Sequence, residues 1–137
     1  MTAQAELVSN YLENETILLQ DWYQQTQISQ DPDLEPIATF PSFEELKKMA
    51  IRWWQQLYKR HIDFFHNALC KKKLLNGKTA CEWWQQIREE SSLIQDFIIV
   101  LIDERVFSPL LPTKQFAVAV TLIVTTHFLD HVCEGCN

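Results

Sequence analysis

A chain of 137 residues with 47% hydrophobic residues, five Trp and eight Phe has material for one domain and one core, which excludes a wholly disordered chain. Its two glycines, Gly77 and Gly135, lie too far apart for a P-loop, a dinucleotide-binding Gly motif or a Ser nucleophile elbow. The net charge of −6 argues against strong nucleic-acid affinity for the chain as a whole, yet it is segregated: −9 over residues 1–45, +8 over 46–78 and −5 over 79–137. Such blocks serve a partner, or let the acidic first segment pack beside the basic second one, and the internal pairing is the better-supported expectation.

The N-terminus MTAQAELVSN has no basic flank and no apolar run before a small-residue site, so a cytoplasmic protein is expected. Four cysteines in that setting are expected as reduced thiols or metal ligands rather than a disulfide framework.

In chain order, Leu7, Val8, Tyr11, Leu12, Leu18, Leu19, Trp22 and Tyr23 recur at helical spacing and predict a first helix over about 4–26. Pro32, Pro36 and Pro41 then remove backbone donors and bias their predecessors away from helix, so 28–41 reads as a linker from which the first helix could detach. Ser42 and Glu45 stand in capping-box spacing at the head of a second helix toward about residue 72. Asn76 and Gly77 tolerate the left-handed conformation and stop it, and Thr79 with Glu82 repeats the capping box before a third helix from about Ala80 to Val106, kinked near Ser91 and Ser92. A fourth helix over 114–131 is rich in β-branched residues, but about eighteen residues without Gly or Pro suit a buried helix better than a strand. Gln115 to Leu129 is free of Asp, Glu, Lys and Arg but shorter than the roughly 18–20 residues that span a bilayer. The expectation is an all-α, four-helix bundle-like single domain: a helix at 4–26, the proline-containing linker 28–41, a three-helix body 42–131 and a Cys-x-x-Cys tail 132–137.

The pentapeptide WWQQL at 53–57 returns as WWQQI at 83–87. Adjacent tryptophans diverge by about 100° on a helix, so Trp53, Trp54, Trp83 and Trp84 are candidates for a partner-binding surface, against the plainer reading that they are core and boundary residues.

The chemistry-bearing stretch is the tail, HFLDHVCEGCN. His127 and His131 are one helical turn apart, and Cys133 and Cys136 have the spacing of a zinc knuckle with Gly135 in the turn. A tetrahedral zinc site of two histidines and two cysteines, His127, His131, Cys133 and Cys136, requires the helix to end near His131 or Val132, because a helix that continued would turn Cys133 to the opposite face. The alternative is a helix end with packed histidines and idle cysteines. A thioredoxin-type redox pair is disfavoured, since this Cys-x-x-Cys follows a helix C-terminus, whose negative end opposes thiolates. Asp63, His66 and Cys70 form a weaker cluster on one helix face, which could join Cys81 or the tail ligands if the bundle brings them together. Lys71, Lys72, Lys73 and Lys78, with Arg60, make the 46–78 segment a weak candidate for nucleic-acid or anion binding, although lysines near a helix C-terminus are favoured by its dipole alone.

The functional expectation is a small cytoplasmic helical module that binds another protein or itself, or regulates one, with zinc at its C-terminal end. Alternatives are nucleic-acid or anion binding through 46–78, and a metal-dependent enzyme of undefined reaction; non-enzymatic function is favoured because no catalytic motif is present.

Overall fold

The structure is a computed structural model, and it describes residues 3–27 and 41–136. The elements are α1 (Ala3–Glu13), α2 (Glu15–Thr26), α3 (Phe43–Arg60), α4 (Ile62–His66), a π-helical turn (Asn67–Lys71), α5 (Ala80–Ile87), α6 (Ser91–Asp103), a 3-10 turn (Thr113–Gln115), α7 (Phe116–Thr125) and α8 (Phe128–Glu134). The fold is all-α. Apart from Pro41, the 28–41 linker lies outside the described residues.

Each of the four helices expected from the sequence is divided. Asn14 leaves helical geometry at φ −140°, ψ 90°, and its side chain accepts the Ile17 backbone N–H at 3.2 Å, so it caps α2 while α1 ends. Apolar spacing runs through this break undisturbed, which is why periodicity alone joined the two helices. His61 at φ −134°, ψ 43° separates α3 from α4. The Arg88–Glu90 corner separates α5 from α6, close to the expected kink. His127 adopts a left-handed conformation at φ 60°, and the chain bends by 74° between the Thr113–Thr125 segment and α8.

Two expected start signals take different forms. Thr79 Oγ1 accepts the Glu82 N–H and Glu82 Oε1 accepts the Thr79 N–H, both at 3.1 Å, a complete capping box. At α3 the Ser42 hydroxyl accepts the Glu45 N–H at 3.2 Å. Gly77 at φ 81° makes the turn that NGK predicts, after the helix has already ended at Lys71. There Lys73 bridges Thr79 in a short antiparallel pairing.

Helix α7 is the axis of the fold. Phe116 and every residue from Val118 to Val124 are buried, and α1, α2, α6 and α8 pack against it. With apolar side chains on every side it reads as a core helix, and no single helix among the described residues is long and apolar enough to cross a membrane. Helices α1 and α2 contribute Val8, Tyr11, Leu18, Leu19 and Trp22 to the core, so they pack in cis on the body. The Tyr11 hydroxyl donates to Asp21 at 2.7 Å; burial, then that hydrogen bond, push its pKa upward. Between the acidic and basic blocks, Lys47 lies 3.6 Å from Glu15 and joins α3 to α2.

Candidate functional site: a four-cysteine centre under the C-terminal helix

Four cysteines from three parts of the chain meet at one corner. Cys70 comes from the π-helical turn, Cys81 from the first turn of α5, Cys133 from the last turn of α8, and Cys136 from the residues that follow it. Cys81 and Cys133 form one disulfide, with Cα atoms 5.5 Å apart, and Cys70 and Cys136 form another at 5.4 Å. The expected reduced thiols are therefore corrected: all four sulfurs are paired. The two bonds are adjacent, since Sγ atoms of Cys70, Cys81 and Cys136 lie within 4.8 Å of one another.

The bonds differ in exposure. Cys81 and Cys133 are buried, whereas Cys70 and Cys136 are half-buried and line a surface cleft of about 440 Å³ with Asp63, His66, Asn67, Lys71 and Gly135. The weaker sequence cluster of Asp63, His66 and Cys70 thus faces one cleft, and it is joined there by the tail. His66 Nε2 is hydrogen-bonded to the Tyr58 hydroxyl at 2.9 Å. Gly135 approaches closely: a Cβ at that position would lie 2.8 Å from His66 Nε2 and 3.4 Å from the Tyr58 oxygen, so the His66 ring would have to shift.

Local fields are uneven around the centre. Cys81 is the second residue of α5, where the positive end of the helix dipole favours a thiolate. Cys133 and Cys136 sit at the opposite kind of end, in and after the last turn of α8. Lys71 supplies a positive charge on the rim of the cleft.

The site of two histidines and two cysteines expected from the tail does not assemble in this geometry. Helix α8 continues past His131 to Glu134, so the condition that the helix end near His131 or Val132 is not met. His127 is not in the same helix as His131: it precedes α8 in a left-handed conformation, is exposed, and lies 3.8 Å from Asp130 through Nδ1. His131 packs against Tyr58 and Phe128 with ring centroids 5.5 and 5.4 Å away. Cys133 and Cys136 turn instead to Cys81 and Cys70. Among the described residues, the ligand atoms that gather closely enough for a metal are those of Cys70, Cys81 and Cys136, without either histidine.

Asp130 fastens α8 to α5. Its Oδ1 accepts the Trp84 indole N–H at 2.6 Å and lies 3.6 Å from Arg88. Trp54 and Trp84 are buried, which corrects their assignment to a partner surface, while Trp53 and Trp83 are half-buried. Trp53 makes edge contacts with Trp22 and Trp54, and its outer side lines a shallow cleft with Met49, Arg52 and Gln56. Trp83 meets Phe97 edge-on.

The candidate anion-binding lysines divide in the same way. Lys73 is bound to Glu82 at 3.1 Å and Lys78 to Gln86, while Lys71 and Lys72 stand exposed on the rims of two clefts. With two of the four engaged in fastening the 72–79 loop to α5, they do not form one free basic patch.

No protein-family model matches this chain, and neither the curated proteins nor the solved structures contain a significant match.

Proposed function

We propose that this chain is a small helical protein-binding or regulatory module in which thiol–disulfide exchange at Cys70, Cys81, Cys133 and Cys136 locks and releases the C-terminal helix. The observation that carries this reading is the convergence of four cysteines, paired across as many as 66 residues, into one half-buried and one buried disulfide in contact. In the cytoplasmic setting expected from the sequence, disulfides are transient and redox-sensing rather than architectural.

The exchange runs inward. A thiolate of a small dithiol reductant attacks Cys70 or Cys136 from the cleft, and the other cysteine leaves as a thiolate. The reductant's second thiol resolves the mixed disulfide; the reductant becomes a disulfide and both outer cysteines are reduced. The outer sulfurs lie within 4.8 Å of Cys81, so a freed outer thiolate attacks Cys81 and Cys133 leaves as a thiolate. The second outer thiolate resolves that mixed disulfide, which frees Cys81 and re-forms Cys70–Cys136, and a second dithiol reductant then opens the outer bond again and leaves all four cysteines reduced. Helix α8 is then held by Phe128, Leu129 and Val132 in the core and by Asp130, without its covalent ties.

Peptide mapping after mild oxidation is expected to recover the pairs Cys70–Cys136 and Cys81–Cys133. Reduction should accelerate amide hydrogen exchange over 128–136 while α7 stays protected. Four cysteines that remain free under oxidant, or exchange in 128–136 that ignores their state, would sink the proposal.

A further inference from the structure

We infer that, once both disulfides are reduced, Cys70, Cys81, Cys133 and Cys136 form a four-thiolate site for one Zn2+. The inference rests on the redox reading in one respect: the site is available only in the reduced state. Its geometry stands on the backbone positions that hold the four sulfurs together.

A tetrahedral zinc with bonds of about 2.3 Å needs sulfurs about 3.8 Å apart. Three of the four sulfurs already lie within 4.8 Å of one another, and the fourth, of Cys133, is bonded to one of them. Opening each disulfide requires the paired sulfurs to part by about 2 Å, and the Cys133 sulfur, outside the group of three, must also turn toward Cys70 and Cys136. The donors come as two from the body and a Cys-x-x-Cys pair from the tail, two separated pairs as structural zinc sites use. Four thiolates and no histidine or carboxylate select a soft or borderline metal over calcium or magnesium.

The fields around a site of net charge −2 are mixed: Asp63 in the cleft and the C-terminal end of α8 oppose it, and the divalent ion, Lys71 and the start of α5 offset them. Lys71 lies beside Cys70, the first turn of α5 directs its positive end to Cys81, and Gly135 lets the Cys-x-x-Cys turn press against His66, whose ring a side chain there would displace. His127 and His131 are outside the site, the first against Asp130 and the second on Tyr58.

Four thiols release four protons as Zn2+ binds, giving four thiolate bonds to an ion whose oxidation state does not change. On oxidation, each thiolate pair gives two electrons to a disulfide or peroxide oxidant and closes one intramolecular bond, and Zn2+ is released. The centre therefore exchanges two disulfide staples for one metal staple.

The test uses the full chain, fully reduced under anaerobic conditions, with Zn2+ or Co2+ as the only addition. Expected results are one equivalent of zinc by competition with a chromophoric chelator, protection of all four thiols from alkylation, and thiolate charge-transfer with intense d–d bands in the cobalt form. Cys70→Ser and Cys81→Ser should lose stoichiometric binding, while His127→Ala and His131→Ala should keep it. The alkylation measurement on the unaltered chain decides the matter even where a cysteine variant fails to fold.

No zinc uptake by reduced protein with native helical signal would overturn the site, as would loss of binding in either histidine variant, or a preference for iron with sulfide. The two proposals fail separately. Disulfides that form and break without zinc uptake overturn the metal site alone, whereas zinc uptake by thiols that never pair under oxidant overturns the redox reading alone.

Discussion

The outer disulfide, Cys70–Cys136, and the inner one, Cys81–Cys133, fasten the same end of the chain to the same body, but only the outer one borders solvent. Their loops are nested, with sequence separations of 66 and 52, so either bond alone already closes most of the chain between them. Each therefore adds the constraint of a marginal loop of about 14 residues, worth about 3 kcal/mol in the loop-entropy picture. What separates them is environment. The outer pair sits where a reagent reaches it, and the inner pair sits where a change of side chain disturbs packing.

The largest expected effect breaks that equality of topology. Changing Cys70 and Cys136 together to Ser should cost about 3 kcal/mol in non-reducing denaturant unfolding. Changing Cys81 and Cys133 together to Ser should cost that and about 1–3 kcal/mol more for each buried hydroxyl left unpaired. Equal losses would show that burial does not distinguish the bonds. Stepwise reduction with alkylation faster than exchange sharpens the same point: Cys70 and Cys136 should label before Cys81 and Cys133, and the reverse order would show that solvent access does not decide which bond opens first.

Beside the inner bond, Asp130→Ala strips the Trp84 indole N–H of its partner and loosens α8 from α5. A stability loss of about 2 kcal/mol is expected from the unpaired buried donor. Beside the outer bond, Gly135→Ala should cost about 1 kcal/mol by displacing the His66 ring from Tyr58. The same substitution in a His66→Ala background should then cost less, because the atom it meets has gone; an unchanged loss would show that the close approach is not its cause.

The smallest effect is electrostatic. The Thr79 backbone N–H, then Lys73 and the Thr79 hydroxyl, hold the Glu82 carboxyl below its usual value of 4.5. Because the folded pKa is depressed, the stabilisation is present above the unfolded-state value and is lost as pH falls through the folded one. The stability difference between the native chain and Glu82→Gln should accordingly be greatest near neutral pH and shrink in acid, as unfolding midpoints across the carboxylate range would show. A difference that grew in acid would contradict the sign.

Much of the fold was legible in the sequence because it depends on local rules. Thr79 and Glu82 announce the start of α5 by spacing alone, and the uninterrupted apolar run from Phe116 announces a buried helix. The breaks were less legible. Asn14 and His61 are polar residues that a solvent-facing helical position tolerates equally well, and His127 adopts a left-handed conformation with no glycine to signal it. That last break decided the candidate site, since the one-turn spacing of His127 and His131 means a shared face only within a continuous helix. The centre itself was visible as two fragments, the Asp63–His66–Cys70 face and the tail Cys-x-x-Cys, with Cys81 as a further residue that the bundle could bring to either.

The sequence by itself determined the helical class, the capping of α5 and the turn at Gly77, because each follows from interactions within a few residues. Tertiary structure alone decided which sulfur meets which. Cys70 and Cys136 pair because a π-helical turn and a 74° bend bring distant segments to one corner. Long-range proximity of that kind is set by how whole helices pack, and no local spacing encodes it.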